Sequence, residues 1–143
     1  MTVLQKILHT KPLHSIILIR LMVGVVFLSE GVQKFLFAEK VGAGRFQKIG
    51  LPNPQALGSI VGSFEIICGL LLLLGLLTRL ATLPLIIIML VAMATTKYPI
   101  LMESGFWEMM HAGRTDWAML LGSIFLLING AGKWSGDYQW QKK

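Results

Sequence analysis

From Ala56 to Leu77 the chain is apolar except for two serines and one glutamate, Glu65. A helix needs about 20 mostly apolar residues to cross the hydrocarbon core of a bilayer, and this run is long enough. A carboxyl group near the centre of such a span is expensive even when snorkelling and local hydration are allowed for. Glu65 therefore needs a partner, and the identity of that partner is the functional question the sequence poses.

The rest of the chain fits a membrane setting. Hydrophobic residues make up 55% of the 143, and the mean hydropathy is +0.69. That is too apolar for an ordinary soluble domain. Apolar residues concentrate in four blocks, about 15–37, 57–77, 80–96 and 115–130. They predict a single-domain, all-α integral membrane protein built as a four-transmembrane-helix bundle. The first block follows Lys6 and Lys11 as a signal peptide would, but Arg20 interrupts it and no small-residue cleavage pattern follows. It reads as a retained span.

The net charge of +6 does not point to nucleic acid, because the basic residues gather at span ends without the aromatic interleaving of a single-strand binder. With four spans both termini share one face. That face carries Lys6, Lys11, Arg20, Arg79, Lys133, Lys142 and Lys143; the other carries Lys34, Lys40, Arg45, Lys48, Lys97 and Arg114. The bias favours cytoplasmic termini. Arg20 and Arg79 are expected to anchor at the cytoplasmic interface, Arg20 by snorkelling.

Residues spaced 4, 3, 4, 3 share one helix stripe. Span one places Arg20, Gly24, Phe27, Gly31 and Lys34 on such a stripe; span two places Gly58, Gly62, Glu65, Gly69 and Leu72 on another. Close helix packing accounts for the glycines. It does not account for the charges. At a rise of about 1.5 Å per residue, Lys34 lies roughly 12 Å and Glu65 about 3 Å above the midplane, on antiparallel spans. Side chains lean toward their helix N-terminus, so Lys34 and Glu65 converge. Glu30 stands one turn before Lys34, the favourable order for an i,i+4 ion pair. Asp116 opens span four on the same side. These four residues form either a buried ion-pair network or a polar pocket for a small molecule in the outer half of the bundle. The loops 38–56 and 97–114 are expected to rim it, with Phe106 and Trp107 as a shield.

Other chemistry finds little support. Cys68 is the one cysteine, which excludes an internal disulfide or a Cys-x-x-Cys pair. His9, His14 and His111 all lie outside the spans, away from haem-ligand depth. Met102, Met109, Met110 and His111 offer soft ligands for copper, but an interfacial amphipathic segment explains them as well. No metal site and no covalently bound cofactor are expected.

The ordered set Arg20-x3-Gly24-x2-Phe27-x3-Gly31-x2-Lys34, Gly50-Leu-Pro, Glu65-x3-Gly69, Gly75-x2-Thr78-Arg79 and Gly130-x-Gly132-x2-Ser135-x-Asp137 resembles the DoxX family. The resemblance implies a four-helix protein of the bacterial or archaeal cytoplasmic membrane. Namesakes of the family are subunits of quinone-reducing oxidoreductases that oxidise sulfur compounds; others are linked to membrane redox and oxidative-stress complexes, and many have no assigned activity. The implied partners are the bilayer, a quinone or small sulfur compound, and membrane or soluble redox proteins. The family often has Glu at the start of span four, where this chain has the shorter Asp116.

The leading reading is a component of a quinone-linked membrane oxidoreductase. Lys34 and Glu65 would line the pocket, with Glu30 and Asp116 behind them. A small-molecule or lipid-binding or transport module would use the same pocket, and a non-catalytic membrane anchor for partner proteins would need none.

Overall fold

A computed structural model describes residues 2–142; Lys143, placed on the terminal face above, lies outside the described residues. The chain is helical, with no strand among the described residues. In order the helices are α1 (Val3–Leu8), α2 (Ile16–Leu36), α3 (Ala38–Val41), α4 (Ala43–Lys48), α5 (Pro54–Leu74), α6 (Thr78–Ser104), α7 (Phe106–Ala112), α8 (Arg114–Asn129) and α9 (Gly136–Gln141). Three of them, α2, α5 and α6, are long and apolar enough to cross a membrane. The shorter apolar helix α8 packs against α2 and α6, and α5 packs against both as well. The four together enclose a core that includes Val23, Phe27, Leu72, Leu85 and Leu126.

The glycine stripes set how closely α2 and α5 approach. A Cβ on Gly31 would stand 2.7 Å from the Gly62 carbonyl oxygen, and one on Gly69 would stand 2.8 Å from the Leu28 nitrogen. Side chains at either position would force the helices apart. Cys68 is buried in this core as a free thiol.

Helix α6 is longer than the third apolar block suggests. The sequence reading ends that span at Thr96, before Lys97-Tyr98-Pro99, whereas the helix runs on through Pro99 to Ser104. Proline removes one helical hydrogen bond, but membrane helices tolerate it where hydroxyl side chains and neighbours serve the freed groups. Pro99 frees the Thr95 carbonyl; the Thr95 and Thr96 hydroxyls donate one turn earlier, to the Val91 and Ala92 carbonyls. The helix ends at Gly105, whose φ of +92° suits glycine. Phe106 and Trp107 then pack edge-to-face on each other at 53% and 82% exposure. They do not line the internal cavity and do not shield it.

The end of the molecule that holds the termini is locked by polar side chains serving helix ends. Arg20 was expected to snorkel outward. It is 3% exposed instead. Its Nη1 donates to the carbonyls of Ala131 (2.7 Å) and Trp134 (2.8 Å), and its Nη2 to that of Leu73 (3.2 Å) at the end of α5. A guanidinium spreads several donors over carbonyls that a helix C-terminus leaves free, and its charge suits the negative end of the dipole. Arg79 acts likewise at the end of α8, donating to Ile128 at 2.8 Å. Both arginines bind the protein's own backbone where the sequence reading made them anchors in the interface.

Asp137 completes the lock. Its two carboxyl oxygens accept from the Leu77 (2.7 Å) and Thr78 (2.9 Å) amides that open α6. The backbone there is tight, with Gly75 and Leu77 both in the left-handed region. Burial pushes the Asp137 carboxyl above its ordinary range, while those amides and Arg20 pull it down. The N-terminal segment joins through Thr10, whose hydroxyl accepts from the Gly132 amide at 2.6 Å. In the C-terminal tail, Ser135 and Asp137 are part of the buried structure.

Candidate functional site

Lys34 sits in the last turn of α2 and Glu65 in the middle of α5. Their stripes face each other, and Lys34 Nζ lies 2.7 Å from Glu65 Oε2. The two side chains are 10% and 4% exposed. The contact is ionic rather than a well-aligned hydrogen bond: Oε2 is buried and has no hydrogen-bond partner.

That cavity has a volume of about 460 Å³. This is within the range of small-molecule sites, roughly 300–1,000 Å³. Glu30, Lys34, Glu65 and Asp116 all line it. Their ion pairs are separate, however. Asp116 pairs with Lys97 at 3.0 Å rather than standing behind Glu65. Glu30 was expected to pair with Lys34; it borders the cavity with no cation within ion-pair distance among the described residues. The Lys34 ammonium is engaged by Glu65 instead.

Two cavity residues, Lys97 and Arg45, were assigned by the sequence only to the outer face. Lys97 follows Met89 and Met93 at helical spacing of four. Carrying the helix past Pro99 would have placed it on the core stripe. Arg45 falls four residues after Val41 and four before Ile49, both of which also line the cavity. The α3–α4 segment thus folds back as a lid whose inner face holds Val41, Arg45 and Ile49. It rests on the start of α5, where a Cβ on Gly58 would stand 2.9 Å from the Ala43 nitrogen.

The walls between the charged groups are apolar, built from residues such as Val26, Phe27, Ile88 and Met119. The arrangement offers an ammonium and a carboxylate at one level, a second such pair toward the outer end, and an apolar space between. It can orient a compact molecule that both accepts and donates hydrogen bonds. At the start of α8 and the end of α6 the cavity wall also includes Thr115, Thr95 and Thr96.

Fold and site together define a small helical membrane protein with an internal cavity lined by ion pairs. A family model described as DoxX matches residues 15–98. An uncharacterized membrane protein, Rv3486 of Mycobacterium tuberculosis (strain ATCC 25618 / H37Rv), is 49% identical over 144 aligned residues, covering 96% of this chain and 88% of that protein. The chain belongs to the DoxX family. No solved structure matches it significantly. The family match covers α2, α5 and most of α6, and so holds Lys34, Glu65 and Lys97; Asp116 and the Gly130–Asp137 motif lie beyond it.

Proposed function

We propose that this protein is a ligand-binding component of a quinone-linked membrane oxidoreductase. In this reading α2, α5, α6 and α8 are four spans of one membrane domain, with both termini cytoplasmic. The observation that carries it is the Lys34–Glu65 pair on the wall of an apolar cavity of about 460 Å³, at a depth where unliganded charge is costly. A quinone carbonyl accepts a hydrogen bond from the Lys34 ammonium. Glu65 holds that ammonium in place and passes a proton toward the ring oxygen. Reduction of quinone to quinol takes up two electrons and two protons. The electrons come from a redox partner protein or a small sulfur compound, and the protons arrive through the carboxylates of Glu65 and Glu30.

Mass spectrometry of small molecules retained after mild detergent extraction tests this. Wild-type protein should carry a quinone, and Lys34→Met with Glu65→Gln should lose it. A retained phospholipid in place of quinone would favour the lipid-binding or transport reading of the same cavity. Retention of nothing, with no quinone bound on addition, would leave the membrane anchor.

A further inference from the structure

Helices α5 and α6 are joined by the tight Gly75–Leu77 turn, and near it they are held together by Cys68 and Leu72 facing Ala81 and Leu85 in the core. Farther from the turn the two helices no longer share buried residues of this kind. There Leu57 and Val61 of α5 and Ile87 and Val91 of α6 all line the cavity. Ile87 is also 61% exposed and Val91 47% exposed. A residue that borders an internal cavity and is open on the outside stands at its mouth. The mouth therefore lies on the flank of the helix pair, and its sides are aliphatic. It opens about three to four turns along α6 from the level of the turn, within the depth that the apolar span occupies.

The other candidate exits are more closed or more polar. The flank between α2 and α8 is packed at Gly122 on the terminal side of the cavity, where a Cβ would stand 2.7 Å from the Val23 side chain, and at the cavity's own level it is edged by the polar Glu30, Thr115 and Asp116. The outer end is covered by the α3–α4 lid, with Arg45, and by the Lys97–Asp116 pair. A ligand with an apolar tail would have to bury charge to leave that way. Through the flank its tail meets only Leu57, Val61, Ile87 and Val91, while Lys34 and Glu65 wait inside.

We propose that the ligand enters sideways from the bilayer between α5 and α6, and that it is a membrane-dissolved amphiphile. Its compact polar head reaches Lys34 and Glu65, and its apolar tail leaves between Val61 and Val91. This rests on the reading of the cavity as a ligand site, and it specifies the route and the tail. The head must accept from an ammonium, which a carbonyl-bearing ring does; a hydroxylated ring can also donate to a carboxylate, and a hydrocarbon does neither.

The test uses the full chain in phosphatidylcholine nanodiscs. The probe is a benzoquinone carrying a medium-length alkyl tail that ends in a diazirine; the competitor is the same ring with a methyl group in place of the tail. Photolysis is expected to label Leu57, Val61, Ile87 or Val91 and their lipid-side neighbours, and the tailless ring should suppress the labelling. Ile87→Trp with Val91→Trp should weaken binding of the tailed probe by about ten-fold, the equivalent of roughly two buried methylenes, and leave the tailless ring within about two-fold. Labelling at Arg45, Ile49 or Leu51 would overturn the lateral route while leaving the cavity as a ligand site. Labelling that the tailless ring does not suppress, and that Glu65→Gln does not alter, would overturn both.

Discussion

Lys34 and Glu65 are each tolerable in an apolar environment because of the other. Removing one partner of a buried pair leaves an uncompensated charge, a loss of ~3–5 kcal/mol. Lys34→Ala should therefore lower the melting temperature in detergent, and adding Glu65→Gln should recover much of the loss. Additive effects of the two substitutions would mean the residues are not coupled. Arg20 makes a different prediction. A snorkelling anchor accepts lysine, but Arg20 spans three carbonyls from two separate segments. An ammonium cannot reproduce that fork, so Arg20→Lys should cost about 1–3 kcal/mol in the same melts, the penalty of buried groups left unserved. A melting curve unchanged by Arg20→Lys would restore the anchor reading. Asp137 serves two amides at once, so Asp137→Ala should destabilise by roughly 1–3 kcal/mol and Asp137→Asn by less, since the amide keeps one acceptor.

Among the elements, the α2–α5 pair depends on backbone approach. Gly31→Val would push a branched side chain toward the Gly62 carbonyl and the Glu65 and Ile66 side chains. Overpacking of this kind costs typically ~1–3 kcal/mol and should also pull Lys34 off Glu65. Thermal melting together with quinone binding reads both effects, and a variant that melts like wild type would mean the helices can slide to make room. The stripes that place these glycines are legible by counting alone, since 3.6-residue periodicity puts small and ionisable residues on one face. The extent of α6 is not legible that way. Pro99 and Lys97 look like a span ending, yet the helix continues to Ser104 and packs against α8. Lys97 therefore reads as a loop residue, and its pairing with Asp116 is not legible in the sequence.

For the molecule as a whole, the sealed end and the cavity end differ in chemistry. The sealed end is where the termini and the α5–α6 turn converge; the lidded cavity occupies the other. With cytoplasmic termini, a Gln47→Cys variant should react with an impermeant maleimide from outside intact cells and a Lys133→Cys variant should not. Both are exposed positions, and Cys68→Ala would serve as background. Reaction of the Lys133→Cys variant from outside would invert the topology and put the cavity lid in the cytoplasm. What the sequence by itself determined is the membrane class, the apolar blocks, the facing glycine stripes and the convergence of Lys34 with Glu65, because hydropathy and helical period are local properties. Tertiary structure alone decided which carbonyls Arg20 and Arg79 serve, that Asp137 caps α6 across the fold, that Lys97 rather than Lys34 or Glu65 meets Asp116, and that Leu57, Val61, Ile87 and Val91 line the cavity. Those outcomes turn on which distant backbone groups come within about 3 Å of a side chain, the reach of a hydrogen bond, and no periodicity in the chain encodes that distance.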